Sequence, residues 1–418
     1  MDDLQSGKGT MNVSDADERQ EGRDDTSFVR RPALATLMIA SALSPLAINI
    51  FLPSMTSIAR DLQADGATIG LGLSLYLVAT AVIQLVAGPL SDKFGRRPVI
   101  IGGMVLFLAG TALCLLAPSV HLFLLGRIVQ AASATGIGLS RAIVRDVYDR
   151  RRAASMIGYV TMGLAVAPMV GPAIGGMMDA AFGWRSVFWL LGALGVMTLA
   201  LLVFDLSETN RDRGRPVLAQ MASYRALLGD RQLWAYSGSS SFTSGVFFAF
   251  LGGAPFVAVH VLGMTPAGYG LWFTLCALGY MIGNFITGRF SERVGVKRMM
   301  VIGSSINIVG VSISVAAALL GFLVPAALFA PMLLVGLGNG MALPSATAGG
   351  VSIRPDAAGA AAGLLGALQI GLGAVASILA AHVATGSSGM LGLTLVMLGF
   401  ALPGLASSLA ARSGRRAA

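Results

Sequence analysis

Few residues in this chain could do chemistry, and they do not add up to a catalytic centre. Arg127 is the sole base placed well inside an apolar run, with Gln130 at i+3 on nearly the same helical face. A charge at such a position is functional by default, although a long arginine can also extend its head outward along its aliphatic stem. Asn49 stands in the first apolar run, where it can hydrogen-bond Arg127 or a bound molecule but cannot exchange a proton. Further amides within apolar runs are Gln84, Asn284, Asn307, Asn339 and Gln369, each of which needs a partner or a wet face. Tyr76, Phe247 and Phe250 add aromatic surface, and the last two share a helical face. Aromatics with a few polar groups suit an amphiphilic organic molecule; packing against lipid or a neighbouring helix is the plainer use of any one ring. The sequence holds no hydrolase triad, no metal-ligand cluster and no Gly-x-x-x-x-Gly-Lys-Ser/Thr loop. No metal, cofactor or enzymatic activity is therefore expected, and work must be driven by an ion or solute gradient.

The elements that carry these residues are set by composition. Of 418 residues 55% are hydrophobic and 12% charged, about half the charge of a soluble domain. Mean hydropathy is +0.76. So little charge cannot cover a soluble surface, which excludes an ordinary cytosolic enzyme and, despite a net charge of +9, a nucleic-acid binder. The expected solvent is a lipid bilayer. Continuous apolar runs of about 20 residues fit spanning helices and not the alternating strands of a barrel. They fall at 33–53, 68–89, 99–118, 122–141, 155–178, 185–205, 233–256, 267–288, 299–320, 324–347, 359–382 and 388–410. The fold class is thus all-α, with twelve transmembrane helices in two six-helix halves. A disordered acidic tail is expected over 1–31, a first bundle over 32–205, a linker over 206–232, a second bundle over 233–411 and a short tail over 412–418. An amphipathic surface segment is expected around Val217–Leu228. Cys114 and Cys276 lie in different halves without ligand spacing and read as packing residues.

Direction follows from the bases. With the N-terminus inside, 26 of the 29 Lys and Arg fall on the inner side, only Arg60 and Arg185 on the outer, and Arg127 within a span. That asymmetry places both termini in the cytoplasm.

A repeat connects the halves. Gly88-Pro-Leu-Ser-Asp-Lys-Phe-Gly-Arg-Arg97 follows the second run, and Gly288-Arg-Phe-Ser-Glu-Arg-Val-Gly-Val-Lys-Arg298 follows the eighth. Gly95 and Gly295 supply backbone freedom for a tight turn. Asp92 and Glu292 can meet neighbouring helix N-termini or bases, so each loop, with Arg96 and Arg97 closing the first, could latch one helix to another in a single conformation. Parallel six-helix repeats are a known transporter plan. In the fifth run Gly163, Gly171, Pro172, Gly175 and Gly176 strip one face of side chains and bend the helix, which suits a pliable seam.

These residues resemble a family. The Gly88–Arg97 stretch is similar to the loop 2–3 signature of the major facilitator superfamily, Gly171-Pro-Ala-Ile-Gly-Gly176 to its antiporter motif, and Arg127-Ile-Val-Gln130 to its buried-arginine motif. Gly183-Trp-Arg-Ser-Val-Phe-Trp189 and Leu206-Ser-Glu-Thr209 fit as well. Pro45-Leu-Ala-Ile-Asn-Ile-Phe-Leu-Pro53, Arg141-Ala-Ile-Val-Arg-Asp146 and Ala254-Pro-Phe256 resemble the bicyclomycin/chloramphenicol-resistance (Bcr/CflA) drug exporters. The resemblance covers about residues 33–410. It implies a monomeric secondary transporter of the bacterial inner membrane that exports small organic molecules by proton antiport, with Arg127 near the cavity and in coupling. One departure stands against the last step. Those exporters usually carry an acid where Asn49 stands, and no Asp or Glu occupies the centre of any run. A gradient-driven facilitator or importer of a small metabolite, without protons, stays open beside the exporter.

Overall fold

The structure is a computed structural model, which describes residues 32–148, 150–210, 227–353, 358–384 and 389–411. The tails expected at 1–31 and 412–418 lie outside these residues, as does nearly all of the segment expected around Val217–Leu228. Every described element is helical. In chain order they are α1 (Leu34–Asp61), α2 (Gly66–Phe94), α3 (Arg96–Leu115), α4 (Val120–Val147), α5 (Arg150–Phe182), α6 (Arg185–Asp205), α7 (Arg231–Val261), α8 (Pro266–Val294), α9 (Val296–Leu319), α10 (Pro325–Val351), α11 (Ala358–Ala384) and α12 (Gly389–Ala410). Among the described residues eleven stretches of these helices are long and apolar enough to cross a membrane. The remaining helix, α5, has 33 residues, ample for a bilayer.

Helices outrun the apolar windows at several ends. A helix satisfies its own backbone, so it can continue through polar residues once past the hydrocarbon. Thus α1 runs to Asp61, beyond the expected end at 53, and α4 runs to Val147, beyond 141. The second extension moves Arg141 and Arg145 from the expected loop onto the last turns of a helix, while Arg127 stands well inside it.

Two helices are interrupted where the sequence demands it. Pro53 has no N–H to give the Asn49 carbonyl; the first stretch of α1 ends at Asn49, and a 3-10 turn over Leu52–Ser54 precedes Met55–Asp61. In α4 a 3-10 turn over Ala131–Ala134 separates Val120–Gln130 from Thr135–Val147.

The sequence repeat is also a repeat of backbone. Helices α2 and α8 have 29 residues each. Asp65 caps the first by accepting from the Thr68 amide and Thr265 caps the second by accepting from the Gly268 amide. The Thr68 amide and hydroxyl hold the Asp65 carboxyl below its usual range. Both helices end on a left-handed glycine, Gly95 (φ 105°) and Gly295 (φ 89°), after which α3 and α9 begin at once.

The first six helices meet the last six along two seams. One pairs α2 with α11 and the other pairs α5 with α8, while the part of α1 beyond Asn49 touches α7 and α8. Both seams are tight at the end away from the basic loops. A Cβ on Gly176 would run into the Pro266 carbonyl, one on Gly270 into the Pro172 carbonyl, and one on Gly70 into Ala381. Ser74 donates to Ser377 across the first seam at 3.2 Å.

Candidate functional site

Arg127 sits at the centre of the first six helices and is fully buried. Its position follows from two local features. Helices α3 and α4 touch backbone to backbone, because Gly110 faces Gly126 and a Cβ on Gly126 would lie 2.7 Å from the Cys114 sulfur. The break in α1 then leaves last-turn carbonyls without helical donors, and Ala47 O becomes the acceptor for both Nη atoms of Arg127, at 3.3 Å each. Arg127 Nε donates to Gly72 O at 3.2 Å and Nη1 to Gln130 Oε1 at 2.5 Å. Gln130 donates in turn to Thr111 Oγ1 at 2.9 Å.

Two rings complete the enclosure. The guanidinium carbon lies 4.0 Å from the Phe51 ring centroid and 4.5 Å from that of Tyr76, within cation–π range of both faces. Tyr76 is anchored by its hydroxyl, 2.8 Å from Ser133 Oγ and 3.1 Å from Ser44 Oγ. Every partner of Arg127 is electrically neutral. Snorkelling is thereby replaced by a cation–π sandwich, and the charge stays without a carboxylate.

Asn49 does not reach Arg127. Its amide donates to Pro45 O at 2.7 Å, the carbonyl one turn back, and Asn49 Oδ1 is buried without a partner. Around it α1 and α5 nearly touch: a Cβ on Gly171 would lie 3.3 Å from Asn49 Cβ, and one on Gly175 would run into the Ile50 carbonyl. These glycines, with Gly176 against Pro266 and Pro172 against Gly270, make α5 the helix that meets both α1 and α8. The side-chain surroundings of Gly163 lie outside the described residues.

The remaining cavity candidates fall into separate groups. Gln84 Oε1 lies over Gly366, 2.6 Å from where a Cβ would stand, so it crosses the α2–α11 seam. Gln369, one turn along α11, donates to Ser244 of α7 at 3.2 Å. Asn339 accepts from Asn307 at 2.8 Å between α9 and α10, and Asn284 donates to Tyr280 O at 2.8 Å within its own helix. Phe247 and Phe250 both meet Phe273, at 6.3 and 5.9 Å between ring centroids. Phe250 is fully buried and also meets Phe329 edge-on at 5.7 Å, so in this conformation it packs between helices.

The loop after α2 is built as a charged cluster. Asp92 pairs with Arg96 at 2.5 Å, Arg96 reaches Asp146 of α4 at 3.2 Å, and Ser91 accepts from Arg96 as well. The N-terminus of α3 is met by Glu208, not Asp92. Glu208 accepts from the Arg96 and Arg97 amides at 2.9 and 3.3 Å, a carboxylate on the positive end of a helix. Arg97 donates to Val203 O at 2.9 Å. Gly88 and Gly288 face open space. The Glu292 side chain lies outside the described residues.

Sequence reasoning passed over Phe51, Ser44, Thr111, Ser133 and the capping role of Glu208. Pro53 was the available signal for the first, since a proline four residues after a polar Asn49 frees a carbonyl and turns the next ring inward.

Comparison with known proteins fits this architecture. The chain is 28% identical over 355 residues to a protein of Haemophilus influenzae named bicyclomycin resistance protein homolog, covering 84% of this chain and 89% of the relative. It is 30% identical over 388 residues to Multidrug resistance protein D of Escherichia coli, covering 88% and 92%. A crystal structure of a bacterial homolog of the human lysosomal transporter Spinster, inward-facing and unoccupied, superposes with a TM-score of 0.69 at 17% identity over 90% of this chain and 96% of that one, which is a likeness of fold. The family model described as Major Facilitator Superfamily matches residues 37–377, and the chain belongs to that superfamily.

Proposed function

We propose that the protein is a secondary transporter of the bacterial inner membrane that exports drug-like or metabolite small molecules by alternating access. A body of residues 32–205 rocks against one of 233–411, with 206–232 as the linker between them and both termini in the cytoplasm. The protein acts as a monomer. The observation that carries this reading is the pair of seams closed by Gly176, Gly270 and Gly70 at the end away from the basic loops. With those loops cytoplasmic, these contacts close the outer ends of the two seams, and separating them opens that side. The named relatives, a bicyclomycin resistance homolog and a multidrug resistance protein, support export as the direction. Asn49, Tyr76, Gln84, Arg127, Gln130, Phe247, Phe250, Asn284, Asn339 and Gln369 serve the substrate path or its coupling. Gly88, Asp92, Gly95, Arg96, Arg97, Gly163, Gly171, Pro172, Gly175, Gly176, Gly288, Glu292 and Gly295 serve the conformational change.

Proton antiport is the coupling the exporter reading implies, and a second reading is supported by Asn49. This buried amide cannot titrate, and no helix centre holds an acid. A gradient-driven facilitator needs neither. Proteoliposomes holding the full chain under an imposed pH gradient separate the two. Proton movement tied to uptake of a chloramphenicol-like probe supports antiport, and flux indifferent to the gradient supports facilitation. If no compound of a broad panel moves, the transporter reading is wrong. Asn49→Asp is expected to strengthen proton coupling, because a protonated acid can still donate to Pro45 O.

A further inference from the structure

Among the described residues two charged side chains are buried, Arg127 and Asp179, the second 7% exposed. Arg127 belongs to the site above; Asp179 has no part in it. It stands on α5, four residues past Gly175 and three past Gly176. Those two glycines meet different helices. Gly175 presses on the Ile50 carbonyl of α1, and Gly176 on the Pro266 carbonyl of α8. At about 100° of turn per residue, Asp179 points roughly 40° from Gly175 and roughly 60° from Gly176, between the two. Its carboxyl is thereby aimed into the groove where α1, α5 and α8 meet, at the outer end of the seam between the halves. Met177 and Ala180, on other faces of the helix, are exposed.

The groove offers this carboxyl hydroxyls. Ser57 Oγ donates to Asp179 Oδ2 at 2.8 Å. Ser54 Oγ stands beside the same carboxyl and is fully buried without a hydrogen-bond partner. The 3-10 turn Leu52–Ser54 also touches α8, so the stretch that covers Asp179 is itself packed on the second half. An acid withdrawn from water favours its neutral form, which has an O–H to give, and Ser54 Oγ is a free acceptor for it. The other charged and titratable groups nearby are few. From α1 come Arg60, exposed, whose charge opposes protonation, and Asp61, held by Arg185 of α6 at 2.6 Å. On α8 the turn Pro266–Gly270 brings only Tyr269, packed on Phe273 and Phe329. Helix α4 meets α5 through Thr135–Val147, whose bases Arg141 and Arg145 belong to the inner end.

We propose that Asp179 is a proton-binding site at the outer junction of α1, α5 and α8, and that a proton taken there from the outer solution closes the outer ends of the seams. The proposal rests on the alternating-access reading and supplies, near the end of α5, the titratable carboxyl that position 49 lacks. With the seam open, water reaches the groove and the carboxylate is ionised. One proton from outside forms the O–H bond on Asp179, the O–H donates to Ser54 Oγ, and α1 and α8 cover a neutral group. An exporter that has released its cargo outside is thus returned by an external proton. The closed state binds more protons than the open one, so closure is favoured as outer pH falls, by up to about tenfold per pH unit for one proton.

A cysteine placed at Ala267, against Gly176, reads the seam in intact cells through a membrane-impermeant maleimide; the native thiols are buried. As outer pH rises from about 5 to about 8, labelling is expected to climb by up to about tenfold per unit beyond the thiol's own titration. Asp179→Asn, permanently neutral, should show the thiol's titration alone, and Asp179→Glu should restore the climb. Ser54→Ala, which removes the acceptor, should move the climb to lower pH. A parent whose labelling follows the thiol alone overturns the proposal, as does an Asp179→Asn protein that responds like the parent. Should Asp179→Asn fail to reach the membrane, Ser54→Ala decides, and an unmoved climb overturns the site. Labelling needs no substrate, so an empty transport panel would remove the transporter reading while the pH response still judged the proton site.

Discussion

Replacing Arg127 asks whether its charge or its shape holds the first six helices together. The guanidinium makes four hydrogen bonds, to Gly72 O, Gln130 Oε1 and twice to Ala47 O, and lies between two rings. Bonds to a charged group contribute about 1.5–3 kcal/mol each, less at 3.2–3.3 Å, and each desolvated cation–π contact about 1–2 kcal/mol. Opposing them, a buried ion costs several kcal/mol. Arg127→Met keeps the stem, deletes the charge and strands Gln130 Oε1 and Ala47 O, at roughly 1–3 kcal/mol each. Relief of the buried charge offsets most of that, and a net loss of about 2 kcal/mol or less is expected. Arg127→Lys keeps the buried charge but cannot stack between two rings while bridging Ala47 O and Gln130; it is expected to lose about 3–5 kcal/mol. The conservative variant should therefore be the less stable one. Cys114 and Cys276 are both buried thiols in different halves, so a thiol-reactive fluorophore reports melting without an added label. A gap of about 2 kcal/mol lowers the Tm of Arg127→Lys below that of Arg127→Met by several degrees. A lysine variant as stable as the parent, beside a collapsed methionine variant, would show that charge alone matters and refute this account.

Two further outcomes use the same melting assay with a second readout. Gly176→Ala pushes a methyl into the Pro266 carbonyl and should cost about 1–3 kcal/mol; labelling of a cysteine placed at Ala267 should rise as the α5–α8 seam loosens, and unchanged labelling would refute its closure there. Glu208→Gln removes the carboxylate from the α3 N-terminus and should cost about 1 kcal/mol at low salt, with the difference shrinking at high salt.

Much of the fold was legible because lipid imposes a simple rule. A backbone that must satisfy itself over a fixed thickness leaves an apolar window of about 20 residues, and each expected window from 33–53 to 388–410 lies mostly on a helix. Helix ends were not legible, because residues such as Arg141 and Arg145 are polar and helical at once. The repeat was legible at Gly95 and Gly295, where a left-handed φ demands glycine. The surroundings of Arg127 were not. Of its three acceptors only Gln130 is local; the other two belong to Ala47 and Gly72, 80 and 55 residues away, and both are backbone oxygens that every residue carries. Phe51 reads as one more apolar residue, and nothing in its type says that its face covers a cation. Glu208 caps a helix that begins 112 residues earlier, a distance no local pattern spans.

The two halves share a backbone and not a chemistry, and this bears on which one yields during transport. Gly95 is pressed by Glu208, whereas Gly295 faces open space. Helix α4 holds Arg127 in its sandwich, whereas α10, at the matching place, carries no base or acid over Pro325–Val351. Both halves have hydroxyl links, Ser44–Tyr76–Ser133 in the first, but in the second they stand without a buried charge beside them: Ser239 lies 2.7 Å from Ser408, which lies 2.9 Å from Ser304, linking α7, α12 and α9. A hydroxyl is both donor and acceptor, so such a link re-forms with a new neighbour after a small slide. A guanidinium held by three fixed oxygens and two rings has no equivalent second position. The first half is therefore expected to move as a rigid body, and the repacking that accompanies opening falls on α7, α9 and α12.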